Sequence, residues 1–220
     1  MKSNATIIEA EYQYLIPRSK LNLAPPANLD GFSLADIENI EIKDVLLERK
    51  NISLKSEKIG IRIRKVGQKK ELTYKKFLGK ENGITKFDEQ TLEIDDKTYS
   101  DFSRGVFDYK RFSIFDALRQ KGEFYVMITI SNKRKIYHYT DSRSRVELII
   151  EDICYKTNGK KAQDAMIEIE IKHPADQEAE IKKLAEYIRD YYFGRETNEG
   201  KNSRGMFLLG IPYEQAKQDD

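Results

Sequence analysis

A single cysteine, Cys154, occurs in the 220 residues, so no internal disulfide can form and a disulfide-stapled secreted scaffold is excluded. Histidine is almost as scarce. His138 and His173 have no companion at ligand spacing, which excludes a zinc module. A surplus of either charge is missing too: 39 Lys and Arg face 37 Asp and Glu, so a sequence that is 35% charged carries only +2. That balance gives little basis for long-range attraction to nucleic acid or to a membrane surface, and places the charges in pairs, in solvent, or at a local site. No apolar run approaches the roughly 18 residues of a membrane span. Met1-Lys2-Ser3-Asn4 leads directly into a strand pattern, so the expectation is one soluble, cytoplasmic domain without an export signal.

What is abundant is two-residue alternation. It runs through residues 6–15, 58–66, 71–77, 124–131, 134–139, 146–154 and 165–172, with turn signals at Gly67-Gln68, Gly79 to Gly83, Ser131-Asn132 and Asn158-Gly159. Helical patterns interrupt it in three places. Ser33 followed by Asp36, with Phe32 and Ile37 placed as a staple, predicts a helix over 34–39. A second is predicted over 110–121, offering Phe112, Phe115 and Leu118 to a core, and a third over 176–193 with Ile181, Leu184, Ala185, Ile188 and Tyr192 in one stripe. The predicted fold is α+β: a closed antiparallel β-barrel or tunnel of about eight strands with a few surface helices. Residues 194–203 read as a flexible loop and 215–220 as a frayed tail.

The charges fall into rows. Pleating puts residues i and i+2 on one face about 6.5 to 7 Å apart, so charges at that interval line up. Glu9 and Glu11 form one row; Glu168, Glu170 and Lys172 form another, with Ile167, Ile169 and Ile171 opposite. Basic rows lie between these ends, at Arg62 and Arg64 and again at Thr73 and Lys75. Any single row suits a solvated outer face. The set does not, because like charges in homogeneous blocks repel where a solubilising surface would mix signs. Converging carboxylates can hold Mg²⁺ or Mn²⁺ through oxygen, and Arg and Lys can grip phosphate, so the rows predict a polyphosphate site.

Six segments in order resemble the CYTH superfamily, the triphosphate tunnel metalloenzymes. Glu9-Ala10-Glu11-Tyr12-Gln13 is similar to its ExExK signature, Ile61 to Lys65 to its RxR strand, and Leu72 to Lys75 to the lysine strand. Lys133 to Tyr137 resembles the KxR strand, Leu148 to Glu151 the aspartate strand, and Ile167 to Glu170 the closing ExE strand. Lys86 to Gln90 is loosely similar to RxExE. Gln13 stands where the signature has lysine, and Asn132 stands at the first position of KxR when Arg134 is placed three before Tyr137.

The resemblance implies a tunnel in which Arg62, Arg64, Lys75, Arg134, Lys86 and Lys172 bind phosphate while Glu9, Glu11, Glu151, Glu168 and Glu170 hold Mg²⁺ or Mn²⁺. Glu168 or Glu170 would orient the attacking water, and Gln13 occupies the position of a lysine implicated in activating it. Three activities follow as expectations: hydrolysis of inorganic tripolyphosphate or a nucleoside triphosphate, cyclisation of ATP to cyclic AMP, or binding of a nucleotide or polyphosphate by an impaired sensor. The partner is in each case a small triphosphate or nucleotide. His138, His173 and Cys154 receive structural roles.

Overall fold

The computed structural model describes residues 7–29, 31–50, 53–81, 84–107, 112, 123–174, 178–197 and 200–211, without the side chains at 7–10, 79–81, 84–87, 172–174 and 178. Ten strands and three helices are present among them: β1 (Ile7–Leu15), β2 (Asn28–Leu29), β3 (Phe32–Arg49), β4 (Ile59–Val66), β5 (Lys69–Glu81), β6 (Ile84–Glu93), α1 (Asp96–Ser103), β7 (Phe124–Thr140), β8 (Arg145–Thr157), β9 (Lys160–Pro174), α2 (Glu178–Tyr191), β10 (Arg195–Glu196) and α3 (Lys201–Leu209). The class is α+β, as expected. The sheet is not closed, however. Its order is β10-β1-β9-β8-β7-β3-β4-β5-β6, with β2 on β3, and the end strands β10 and β6 do not pair. Closure requires two matched edges. Here one edge is β10, which meets β1 at only Tyr14↔Glu196 and Leu15↔Arg195.

Two further expectations fail for stated reasons. Residues 34–39 are not helical but lie in β3, where Asn28↔Ser33 and Leu29↔Phe32 pair with β2. Asp36 accepts a bond from the backbone N–H of Ile37, and the capping pattern is overridden by strand pairing. Ser131-Asn132 is not a turn either: β7 runs unbroken, and the Asn132 side chain is used inside the protein. Asn158-Gly159 does turn, with positive φ at both residues (39° and 77°), the demand of a tight hairpin. The helix predicted over 110–121 lies outside the described residues except Phe112, which packs edge-on to Phe102 with ring centroids 5.7 Å apart. Within 194–203 the described residues hold β10 and the start of α3; the tail at 215–220 lies outside them.

The chain divides into two compact units. The first comprises Met1–Glu41, Asn132–Cys154 and Gln163–Asn202. Its core sets Ile167, Ile169 and Ile171 of β9 and Leu148 and Ile150 of β8 with Tyr14 and the apolar stripe of α2: Ile181, Leu184, Ala185, Ile188, and Tyr192 just beyond it. The second unit comprises Ile42–Ser131, Tyr155–Ala162 and Ser203–Asp220. It buries Val45 and Leu47 of β3, Ile61 and Ile63 of β4, Leu72 of β5, and Phe102 and Phe124.

Candidate active site

In the first unit, β1 and β9 pair so that Glu11 faces Glu170 and Gln13 faces Glu168, while Tyr12 and Tyr14 face Ile169 and Ile167. Pleating sends Tyr14 and the isoleucines to the core and leaves Glu11, Gln13, Glu168 and Glu170 on the other face. The same parity acts on β8 and β7. Leu148, Ile150, Tyr137 and Tyr139 go to the core, and Glu151, Asn132 and Arg134 go the other way. Glu151 is fully buried and Glu168 almost so.

Buried carboxylates need partners. Lys201, the first residue of α3, places Nζ 2.7 Å from Glu168 Oε2 and 2.9 Å from Glu151 Oε1. Arg134 Nε stands 2.7 Å from Glu151 Oε1 as an ion pair without hydrogen-bond alignment, and its Nη2 donates to Glu168 Oε2 at 3.3 Å. Asn132 Nδ2 donates to Glu151 Oε1 at 2.7 Å. Gln13 Nε2 donates to Glu11 Oε1 at 2.6 Å and to Glu168 Oε1 at 3.2 Å. The basic run Lys133-Arg134-Lys135 is split by the pleat: Arg134 joins the cluster, while Lys133 stands 3.8 Å from Glu41 and Lys135 lies over the Tyr137 ring. It is not a continuous basic strip.

The two central carboxyls titrate in opposite directions. A hydrogen bond shared with Glu168 raises the Glu11 carboxyl above its ordinary value, and burial and the Glu168 charge add to this. Burial resists ionisation of Glu168, but the charge of Lys201, the bond from Glu11 and the charge of Arg134 outweigh it and hold its pKa at about 2. Of the two, Glu11 is therefore the easier to protonate and Glu168 the harder.

Among the described residues no three His, Cys, Asp or Glu side chains are placed to hold a metal ion. Glu11 and Glu168 do stand side by side, both bonded by the Gln13 amide, a place where a divalent cation can offset their mutual repulsion. Mg²⁺ is commonly held by one or two carboxylates when phosphate oxygens complete its shell. The donor chemistry of Glu11 and Glu168 fits a cation bound in that way, and Glu151 Oε2 is a further buried oxygen without a hydrogen-bond partner.

The second unit carries its own polar face. On β4 and β5, Arg62 pairs with Thr73 and Arg64 with Glu71; Thr73 in turn pairs with Thr91 and Lys75 with Glu89 of β6. Ile61, Ile63 and Leu72 occupy the opposite, buried parity. The three basic residues differ. Arg64 forms a bidentate pair with Asp44, both contacts at 2.7 Å, and Lys75 meets Glu89 at 3.2 Å. Arg62 has no ion pair among the described residues and keeps a buried Nε without a hydrogen-bond partner; burial, then the charge of Arg64, lowers its pKa.

Residues 8–197 match the CYTH domain family. The chain belongs to this family. No curated protein matches it significantly. The fold of the CYTH chain is similar to that of a candidate adenylyl cyclase from Hippeastrum with a dominant triphosphatase activity, at 18% identity and a TM-score of 0.59 over 94% of this chain and 98% of that one. It is also similar to a candidate adenylate cyclase from Bacillus halodurans, at 18% identity and a TM-score of 0.49 over 90% and 96% of the two chains. An inorganic triphosphatase matches at 14% identity and a TM-score of 0.41 over 96% of this chain and all of that one.

Within this CYTH chain, Glu11, Gln13, Arg134, Glu151 and Glu168 stand in one cluster of the first unit, with Glu170 paired to Glu11 in register. Arg62, Arg64 and Lys75 share one face of the second. The backbones of Glu9 and Lys172 pair with each other, and that of Lys86 pairs with Gly79; these three side chains lie outside the described residues. Two members of the cluster were not nominated from sequence. Lys201 sits among polar residues with no alternation to reveal it, and Asn132, although it stands at the first position of KxR, has no role assigned from sequence and reads there as part of a turn. The only available signal was that a buried Glu151 requires a donor and a cation from somewhere.

Proposed function

We propose that this CYTH protein binds inorganic tripolyphosphate or a nucleoside triphosphate together with Mg²⁺ or Mn²⁺ and hydrolyses its terminal phosphoanhydride. The observation that carries the proposal is the buried cluster in which the carboxyls of Glu151 and Glu168 are held by Lys201, Arg134, Asn132 and Gln13. Replacing a buried ion pair by an apolar pair of similar volume is often neutral or stabilising, so a cluster of this kind is better explained by a ligand it serves than by a need of the fold. The cation, when bound, neutralises phosphate charge and polarises a phosphoryl oxygen. Glu9, Glu11, Glu151, Glu168 and Glu170 are the residues assigned to hold it. Arg62, Arg64, Lys75, Arg134, Lys86 and Lys172 are assigned to phosphate oxygens; of the four whose side chains are described, Arg62 is the least committed to internal partners. Glu168 or Glu170 orients a water toward the terminal phosphorus; a P–O bond forms to that water as the bond to the bridging oxygen breaks, leaving orthophosphate and the shortened chain.

A second proposal, binding without efficient turnover, is favoured by Gln13. Its amide donates to Glu11 and Glu168 but supplies no charge where the signature has lysine. Incubation of the full chain with tripolyphosphate or ATP and Mg²⁺ or Mn²⁺, with products resolved, separates the outcomes. Orthophosphate release is expected. Pyrophosphate with cyclic AMP assigns a cyclase instead, and tight binding without products assigns the sensor; neither binding nor products overturns the proposal.

A further inference from the structure

The row on β1 ends in a neutral amide, Gln13, yet the carboxylate beside it is not without a cation. Gln13 donates to Oε1 of Glu168, and Lys201 reaches Oε2 of the same group at 2.7 Å. The ammonium arrives from α3 rather than from β1, and it also contacts Glu151 Oε1 at 2.9 Å. Lys201 thus ties together the two most buried carboxylates of the cluster, one of which is fully buried and retains an unpartnered oxygen. Glu151 keeps Arg134 and Asn132 if Lys201 moves away. Glu168 keeps its bond with Glu11 but, of its cationic and amide contacts among the described residues, only the longer ones, to Arg134 at 3.3 Å and Gln13 at 3.2 Å.

Building on the triphosphate proposal, we propose that Lys201 supplies the ammonium that β1 lacks and acts as a positioning residue, holding Glu151 and Glu168 in the metal-free protein and yielding Glu168 to an incoming divalent cation. Charge dictates the exchange. A divalent ion on Glu168 would stand within a few ångströms of the ammonium, where like charges repel far more strongly than in bulk water. One of the cations must withdraw. Lys201 is the one suited to do so: its charge is compact and ends a flexible four-carbon stem, whereas the Arg134 fork is rigid and already engages Glu151 at 2.7 Å. Released from Glu168, the ammonium remains close enough to Glu151 to be offered to a phosphate oxygen.

The test titrates metal-free, full-length protein with Mn²⁺ alone and reads the loss of the free Mn²⁺ electron paramagnetic resonance signal. Lys201→Met is expected to bind Mn²⁺ roughly tenfold more tightly than the natural chain, the scale of one charge-assisted contact removed from competition. Lys201→Arg should stay near the natural affinity. Gln13→Lys placed in the Lys201→Met background should weaken Mn²⁺ binding again, because its ammonium reaches the other oxygen of Glu168. With Mn²⁺ saturating and tripolyphosphate varied, Lys201→Met should lower kcat more than it changes KM, and the double variant should recover kcat. If Lys201→Met does not melt cooperatively, Lys201→Gln, which keeps a donor for Glu151, carries the same comparison. Equal Mn²⁺ affinity in the natural chain and the neutral variant overturns the exchange and leaves the triphosphate proposal standing. Absence of Mn²⁺ binding in every variant, even with tripolyphosphate present, overturns both.

Discussion

At the scale of single residues, the cluster around Glu168 makes opposite demands on its members. Gln13→Lys in the otherwise natural chain should change turnover less than about tenfold, because Lys201 already serves Glu168; a restored catalytic group of its own would give roughly 10² or more. A gain of that size in steady-state orthophosphate release would favour the impaired sensor. Acid stability is set by the same carboxylate. With a folded pKa of about 2 against an ordinary 4.5, Glu168 stays ionised in the folded state where the unfolded chain protonates. Its contribution is therefore present above about pH 4.5 and is lost as pH falls toward 2. Glu168→Gln should flatten the fall in melting temperature across that window, measured in chelator, while the raised Glu11 carboxyl works in the opposite sense and limits the effect. An unchanged slope would show that Lys201 and Arg134 do not hold the charge.

At the scale of elements, β4 presents two arginines that look equivalent in sequence and are not. Arg64→Ala strips a bidentate partner from the largely buried Asp44 and should cost about 1 to 3 kcal/mol of stability. Arg62→Ala removes a buried donor without a partner and should melt close to the natural chain. Its effect belongs to binding: tripolyphosphate affinity should fall by about 1.5 to 3 kcal/mol, checked by calorimetry. Full affinity in that variant would remove Arg62 from the site. Helix α3 has its own constraint. A Cβ at Gly205 would collide with the Tyr155 ring and stand 2.8 Å from Ile128 Cδ1. Alanine ordinarily favours a helix by about 1 kcal/mol over glycine, but overpacking against a fully buried aromatic reverses the sign. Gly205→Ala should lose about 1 to 3 kcal/mol in a denaturant melt.

At the scale of the whole molecule, ligand and cation should act together. Tripolyphosphate with Mn²⁺ at 100 times its Kd should add about 2.7 kcal/mol to the folded state, and chelation of the metal should abolish most of that gain. Equal stabilisation with and without the cation would remove the metal from the proposal. The described residues hold no helix long and apolar enough to cross a membrane.

The charged rows, the apolar stripe of α2 and the order of the motifs were legible in the sequence, because period-two and helical spacing assign a residue to a face without knowledge of its neighbours. Ile181, Leu184, Ala185 and Ile188 are buried as that stripe requires, and Glu168 lies opposite the isoleucines of β9. Which carboxylates meet which cations was not legible. Lys201 joins Glu168 across 33 positions and Asn132 joins Glu151 across 19, contacts fixed by strand order and by where α3 begins. Local signals also lost where pairing was available, as in residues 34–39, since a capping box contributes about a kilocalorie per mole and a packed strand contributes more. Whether the sheet closes is likewise a property of its two end strands. The sequence determined the faces, because alternation is local; only the tertiary structure decided the partners, because buried charge is balanced by whatever the fold brings within reach.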